Sequence, residues 1–240
     1  MIPALKRGLD LLKIVLTSEG PIGYNELLAA TGFPASSATR LLKSLEEGRY
    51  IVKDPSGKYR AGNQLLVLGR GVPVFTRLLS ASKGVLGELS RKTGNTALLV
   101  FWNGREQQCI DKVVDSFSIA MQEVGNITRD PSATPWGWLF WASLDASGRK
   151  RAEGEIADAA RFRRAFPGRM AWFEKHGFTY DDAAFYPHVR RLAAPVLEAG
   201  RTIAAVGLGG NTLTIPDQQV LPYAALVKAA AEELTLGTRT

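Results

Sequence analysis

Apolar positions recur along this chain with two different periods, and the change between them divides it. Ala38, Leu41, Leu42 and Leu45 fall at i, i+3, i+4, i+7, the spacing of a helix that buries one face. The opposite face carries Ser36, Ser37, Thr39, Arg40 and Lys43. Upstream, Tyr24, Leu27 and Leu28 make a shorter stripe that Gly23 or Asn25 can open. Thr31-Gly32 separates the two stripes, because glycine tolerates the positive φ a sharp turn needs. Pro34 falls in the first turn of the second helix, where its missing N–H costs little, and Glu46-Glu47-Gly48 closes it. Nearer the start, Leu5, Leu9, Leu12 and Leu16 stand between Lys6, Arg7, Asp10 and Lys13. That reads as an amphipathic helix and not as a signal peptide.

After the second helix, Tyr50 to Lys53 and Lys58 to Arg60 flank Asp54-Pro55-Ser56-Gly57, a composition suited to a tight hairpin. Helix, turn, helix and hairpin in this order predict a winged helix-turn-helix over Pro21–Arg60, a module that lays one helix in the major groove of DNA. Hydroxyls near a helix start suit phosphate or base-edge contacts, and an arginine can pair bidentately with guanine. The expected DNA-facing residues are therefore Ser36, Ser37, Thr39, Arg40 and Lys43, with Lys53, Lys58 and Arg60 touching phosphates from the wing.

Residues 1–61 form this expected head. Asn63 can cap a short helix with Leu65, Leu66 and Leu68, interrupted by Gly69, Gly71 and Pro73, so 62–74 reads as a linker and hinge. Residues 75–240 make the second domain. A helix is expected from Phe75 to Arg91, then the period shifts to that of strands: Thr96–Trp102, Gln107–Val114, Phe117–Gln122, Arg190–Leu197 and Thr202–Leu208, with turns at Asn103-Gly104 and Ala199-Gly200. Trp136–Ser143, Gly148–Ala165, Gly168–His176 and Pro216–Leu236 read as helices. An antiparallel sheet flanked by helices is the economical arrangement, giving an α+β fold overall.

Composition adds little to this picture. The net charge is +7; ten Lys/Arg and six Asp/Glu lie in Met1–Val72, against twenty and seventeen beyond, so the positive excess is denser at the head. A basic surplus favours nucleic acid through counterion release. The single cysteine, Cys109, allows no disulfide within the chain and fits a reducing cytoplasm; it reads as a small core residue. No apolar run approaches the ~20 residues of a membrane span. His176 and His188 lack partners at ligand spacing, so no metal or cofactor is expected. Asp181 and Asp182 are adjacent and point apart in an extended segment, which argues against paired acid/base chemistry. With no nucleophile–base constellation, an enzyme is not expected. Arg161, Arg163, Arg164 and Arg169 read as a solvated helix face.

The chain resembles the IclR family of bacterial transcriptional regulators. ALKRGLDLLKIV, GFPASSATRLLKSLEEGRYIVKD and GKYRAGNQLLVLG follow that family's helix, recognition helix, wing and linker. CIDKV, SATPWGWLFWA, HGFTYDDAAFYPHVRRLAAPVLEAG and TIAAVGLGG are collinear with its second domain. The resemblance implies a linker helix leading to a GAF-like effector-binding domain, dimers or tetramers on a pseudo-palindromic operator, and a small metabolite as effector. It places effector contacts at Pro135 and Trp136, at Asp181 in the TYDD turn, at Arg191, and at Gly207 and Gly209.

Here the chain departs from the family pattern. Arg191 stands where the family commonly has Cys, Gly207 and Gly209 where it has Ser, and Pro135 and Trp136 where it has small residues. Trp136, Trp138, Phe140 and Trp141 put four aromatics within six residues, and at ~100° per residue they form two pairs on different sides of a helix. Three readings follow. Arg191 forks onto the carboxylate of an aromatic or otherwise bulky acid, or Arg191 pairs internally with Asp181 or Asp182 and the tryptophans are core, or the pocket is filled and the domain binds nothing. A second class of function also stays open, in which the helix-turn-helix serves assembly of a small-molecule-binding or enzymatic domain.

Overall fold

A computed structural model describes residues 2–18, 20–69, 71, 73–115, 121–184 and 186–237. It divides into two compact units, Met1–Thr76 and Arg77–Thr240.

In the first unit, α1 (Pro3–Thr17), α2 (Tyr24–Thr31) and α3 (Ala35–Glu47) precede a hairpin of β1 (Ile51–Lys53) and β2 (Tyr59–Ala61), then α4 (Gln64–Gly69). Gly32 takes the left-handed conformation (φ 64°) that ends α2, and its N–H closes on the Leu28 carbonyl. Pro34 is the residue just before α3, not inside its first turn. The Asp54 carboxylate builds the wing turn by accepting from the backbone N–H of Ser56 at 2.8 Å and of Lys58 at 3.0 Å. Ile22 exchanges backbone hydrogen bonds with Tyr59, which ties the chain ahead of α2 to the wing. The core is Leu11, Val15, Leu27, Leu42, Ile51 and Tyr59.

One expected face was wrong. α1 turns Gly8, Leu11 and Val15 inward, while Leu5, Leu9 and Leu16 are 56%, 51% and 44% exposed. This helix is apolar on two sides, and close packing chose the side carrying Gly8, which lies against Leu41 of α3. α4 buries none of its residues.

In the second unit, α5 (Pro73–Thr93, whose first residues belong to the head's unit) leads into β3 (Thr96–Trp102) and β4 (Gln107–Val113). Then come a two-residue β5 (Ile127–Thr128), α6 (Pro135–Ser143), α7 (Ala146–Glu153), α8 (Ala159–His176), β6 (Thr179–Asp182), β7 (Val189–Glu198), β8 (Arg201–Asn211) and α9 (Asp217–Gly237). The six strands form one sheet in the order β5-β4-β3-β8-β7-β6, antiparallel at every pairing. Residues 117–120 of the strand expected over Phe117–Gln122 lie outside the described residues, and Met121 and Gln122 are not in a strand.

The helices between residues 146 and 176 break elsewhere than expected. α7 ends at Gly154, and Asp158 caps α8 by accepting from the Arg161 N–H at 2.9 Å. α8 then runs through Pro167. Proline removes one backbone hydrogen bond, but Pro167 and Arg163 are both exposed, so water can reach the freed carbonyl. TYDD is strand β6 and not a turn.

Candidate functional site

The exposed face of α3 carries Ser36, Thr39, Arg40 and Lys43, with Ser37 half-buried. Its buried residues, Ala38 and Leu42, fix which side that is. Thr39 is already engaged: its hydroxyl donates to the Ala35 carbonyl at 2.9 Å and lies 2.8 Å from the Tyr24 hydroxyl. Within the wing, Lys58 and Arg60 alternate onto the same side as Val52, whereas Lys53 pairs in register with Tyr59. The Lys53 ammonium sits 5.2 Å from the Tyr59 ring and 3.7 Å from the Glu46 carboxylate. The wing thus splits its three cations, two facing outward together and one drawn onto the head itself. Lys43 makes a long, exposed ion pair with Glu47 at 3.8 Å, which contributes little.

The second unit holds a cavity of about 390 Å³. It is set by α6, whose first turn is pinned from several directions. The Thr134 hydroxyl accepts from the Gly137 N–H at 3.1 Å, and the Thr179 hydroxyl donates to the Pro135 carbonyl at 2.9 Å. A side chain at 137 would strike the Pro131 carbonyl, so glycine is what lets α6 sit this close. Trp136, 1% exposed, is both core and cavity wall: it packs with Leu98, Val100, Phe140 and Ala205 while lining the cavity. The two aromatic pairs expected on α6 separate as the period requires. Trp136 and Phe140 face the sheet, and Trp138 and Trp141 pack with Ile156 and Phe162.

Arg191 lies on the cavity wall at 4% exposure. Its Nε and Nη2 donate to Asp181 Oδ2 at 2.8 and 2.5 Å, and Nη2 also donates to the Ala133 carbonyl at 2.9 Å. Asp181 Oδ1 accepts from the Ala184 N–H at 3.1 Å. The register of β6 against β7 sets Asp181 opposite Arg191 and Asp182 opposite Arg190. The internal pair is thus what forms: a buried cation must be neutralised where it stands. Trp136 and Tyr186 rings lie 5.8 and 5.6 Å from the guanidinium.

Of the six residues expected at the effector site, Trp136 and Arg191 line this cavity, and Asp181 acts on it through Arg191. Gly207 and Gly209 lie in β8 behind it. A Cβ at Gly207 would be 3.1 Å from the Trp136 ring, and one at Gly209 would be 2.6 Å from Met121 Cγ. The indole and the thioether therefore fill space that the family's serines would occupy. Pro135 is the first residue of α6 and not part of the wall.

Sequence reasoning missed Met121, Gln122, Asn126, Thr128, Tyr186 and Val189 of the wall. Thr128 and Val189 lie in strands, Met121 and Gln122 belong to an expected strand but lie outside one, and Asn126 and Tyr186 sit in segments with no period to read. Two polar atoms of wall residues are buried with no hydrogen-bond partner, Trp136 Nε1 and Gln122 Oε1.

Cys109 is buried, and desolvation pushes its thiol up to about 12, which removes it as a nucleophile at neutral pH. Among the described residues no group of three His, Cys, Asp or Glu side chains is placed to hold a metal ion, and no helix is long and apolar enough to cross a membrane.

A helix-turn-helix head with a polar recognition face, followed by an α+β domain around a curled antiparallel sheet, defines a transcriptional regulator. The comparisons agree. Residues 4–55 match the IclR helix-turn-helix domain. The chain is 29% identical to the HTH-type transcriptional regulator XynR of Escherichia coli, with 98% of this chain and 96% of that protein covered. It is 24% identical to the transcriptional repressor IclR of the same organism, with 98% and 89% covered. Among solved structures, the IclR protein of Thermotoga maritima superposes with a TM-score of 0.70 at 20% identity over all of both chains. An IclR homologue from Microbacterium hydrocarbonoxydans, solved with 4-hydroxybenzoate, does so with 0.71 at 16% identity, with 98% and 99% covered. The chain belongs to the IclR family of transcriptional regulators.

Proposed function

We propose that this regulator binds a double-stranded DNA operator as a dimer or tetramer in the cytoplasm, and that a small aromatic acid entering the second domain modulates that binding. α3 reads the major groove through Arg40, with Ser36, Ser37 and Lys43 beside it, while Lys58 and Arg60 of the wing contact phosphate. Thr39 and Lys53 support these contacts from within the head.

Dimerisation is supported by the apolar residues the head leaves in water: Leu5 and Leu9 on α1, and Leu66, Val67 and Leu68 at 75%, 56% and 55% exposure on α4. Patches of this kind mark interaction surfaces, and a two-fold dimer sets two recognition helices about one DNA turn apart on a pseudo-palindrome.

The observation that carries the effector reading is the cavity of about 390 Å³, walled by Trp136, Tyr186 and Gln122 beside the paired Arg191. Arg191 is already held by Asp181, so it serves as a wall of paired charge and not as the sole anchor. An aromatic ring bearing an acidic oxygen and a hydroxyl suits a wall that combines Trp136 and Tyr186 with the polar Gln122, Asn126 and Thr128. The 4-hydroxybenzoate found in the Microbacterium homologue has that chemistry.

The test is a gel shift on the DNA upstream of the protein's own gene, with and without hydroxybenzoates, paired with titration of the same acids by Trp fluorescence. Salt-dependent operator binding that the acids alter, with the alteration lost in Gln122→Ala, is the expected result. A flat response to DNA at low salt favours an assembly role for the helix-turn-helix. Silence across a broad panel of aromatic acids removes the effector class.

A further inference from the structure

In the head, α1 and α3 enclose a cleft of about 230 Å³, walled by Ala4 and Arg7 from α1 and by Ser37, Arg40, Leu41 and Ser44 from α3. The four α3 residues fall at i, i+3, i+4, i+7 and so make one stripe of that helix. Ser37 and Leu41 are half-buried, and Arg40 and Ser44 stand exposed at the rim. Arg40 has Ser36 and Lys43 as neighbours at i−4 and i+3, and Ser37 and Ser44 at i−3 and i+4. It therefore belongs both to the exposed recognition face and to the cleft.

Arg7 is exposed, and its guanidinium lies 5.6 Å from the centre of the Phe33 ring. Phe33 belongs to the turn between α2 and α3. The ring thus holds the Arg7 cation beside the start of the recognition helix.

Charge decides what such a cleft admits. Two guanidiniums stand in its wall and no carboxylate does. The acidic residues of α1 and α3 are each drawn to a lysine: Asp10 to Lys6 at 2.7 Å, Glu46 to Lys53 at 3.7 Å and Glu47 to Lys43 at 3.8 Å. Among the described residues neither Arg7 nor Arg40 makes an ion pair. Two cations facing one cleft repel, and an anion seated between them offsets that repulsion. Arginine forks suit phosphate oxygens, and the Ser37 hydroxyl adds a donor. The Ser44 hydroxyl already donates to the Arg40 carbonyl at 3.1 Å. The cleft falls below the ~300–1,000 Å³ of drug-sized ligand sites, which fits a single phosphate group.

We propose that Arg7 is a DNA-contacting residue, which seats one backbone phosphodiester at the mouth of the α1–α3 cleft, with Ser37 beside it and Arg40 between that phosphate and the major groove. This contact presupposes the DNA-binding reading above and adds α1 to the elements that fix the head on the duplex. A phosphate contact positions the protein and carries no sequence information.

Fluorescence anisotropy of the full-length protein tests it, on a duplex from upstream of its own gene and on a scrambled duplex of equal length, each across a salt series. Each phosphate neutralised adds about 0.9 to the salt exponent, worth roughly eightfold in affinity at about 0.1 M salt. Arg7→Gln is expected to lower the exponent by about that amount and to weaken both duplexes by the same factor. Lys13→Gln removes an exposed charge from another side of the same helix and should change the exponent far less. Ser44→Asp places a carboxylate in the cleft with Arg7 still present and should reproduce the loss, which keeps the test intact if R7Q does not fold. An unchanged exponent in R7Q or in S44D overturns the contact. An equal loss in K13Q overturns it too, because the field of the whole head is then responsible and not a seated phosphate. A loss confined to the upstream duplex also overturns it, since Arg7 then reads bases. Wild-type protein that binds neither duplex at low salt removes the DNA-binding reading itself, whereas wild-type binding with R7Q unchanged removes the Arg7 contact alone.

Discussion

The two domains handle positive charge in opposite ways. In the head, Arg40, Lys58 and Arg60 stand in water. In the second domain, Arg190 and Arg191 are buried against carboxylates, and Arg169 is half-buried against an indole. A solvated cation needs no internal partner and stays available to a polyanion. A buried one must be neutralised by the protein first, so its nearest carboxylate is its own. The same residue type therefore means a contact in one domain and a structural pair in the other. An arginine in a family's ligand position is not by itself evidence for an acidic ligand.

Removing one member of a pair should separate the domains most sharply. Asp181→Asn leaves the Arg191 cation without its buried counter-charge and is expected to lower folding stability by about 3–5 kcal/mol in denaturant titration. Asp182→Asn, across from the next arginine but exposed, should lose less than about 1 kcal/mol. Equal losses would mean that burial is not what distinguishes the two pairs.

Next in size is Gly207→Ser, which restores the family's residue beside an indole the family lacks. With the new Cβ 3.1 Å from the Trp136 ring, overpacking should cost about 1–3 kcal/mol. Trp136→Phe should offset part of that, so a double-mutant cycle with a positive sum of separate losses over the joint loss is expected. Strict additivity would show that Trp136 does not own that space.

In the head the sign of the comparison reverses, since function moves and stability does not. Arg40→Ala is expected to weaken specific operator binding by about 1–3 kcal/mol while folding stability stays within about 0.5 kcal/mol. Unchanged affinity by fluorescence anisotropy would take Arg40 out of the readout. The smallest effect is expected of Lys58→Ala, which should weaken all DNA sequences alike and reduce the salt slope of binding by about 1. Lys53→Ala, already turned onto Glu46 and Tyr59, should change that slope less.

Much of the fold could be read from the chain because the signals are local. The α3 stripe, the Asp54–Gly57 turn, the Asn103-Gly104 and Ala199-Gly200 hairpins and the dense apolar run of β3 each carry their own period or turn chemistry. What escaped reading depended on a choice among local equals. α1 is apolar on two sides, and nothing within it says that Leu11 and Val15 go inward and Leu5 and Leu9 do not. Pro167 looks like a helix end, yet exposure of its freed carbonyl lets α8 continue. The aromatic pairing on α6 was legible from its period; which pair meets the cavity was not. Asn126 and Tyr186 of the cavity wall lie in segments with no period, and Met121 and Gln122, expected to end a strand, lie outside one.

The sequence by itself determined the order of elements, the winged head, its outward polar face and membership in the IclR family, because these rest on spacing within a few turns of chain. Only the tertiary structure decided that Arg191 answers to Asp181, that Trp136 and Met121 fill the space over Gly207 and Gly209, and that Arg161 and Arg169 line a cavity. Those outcomes depend on residues from different strands and helices, brought together by the register of β6 on β7 and the packing of α6 and α8. Burial then sets the cost of an unpaired charge, and burial is a property no stretch of sequence carries alone.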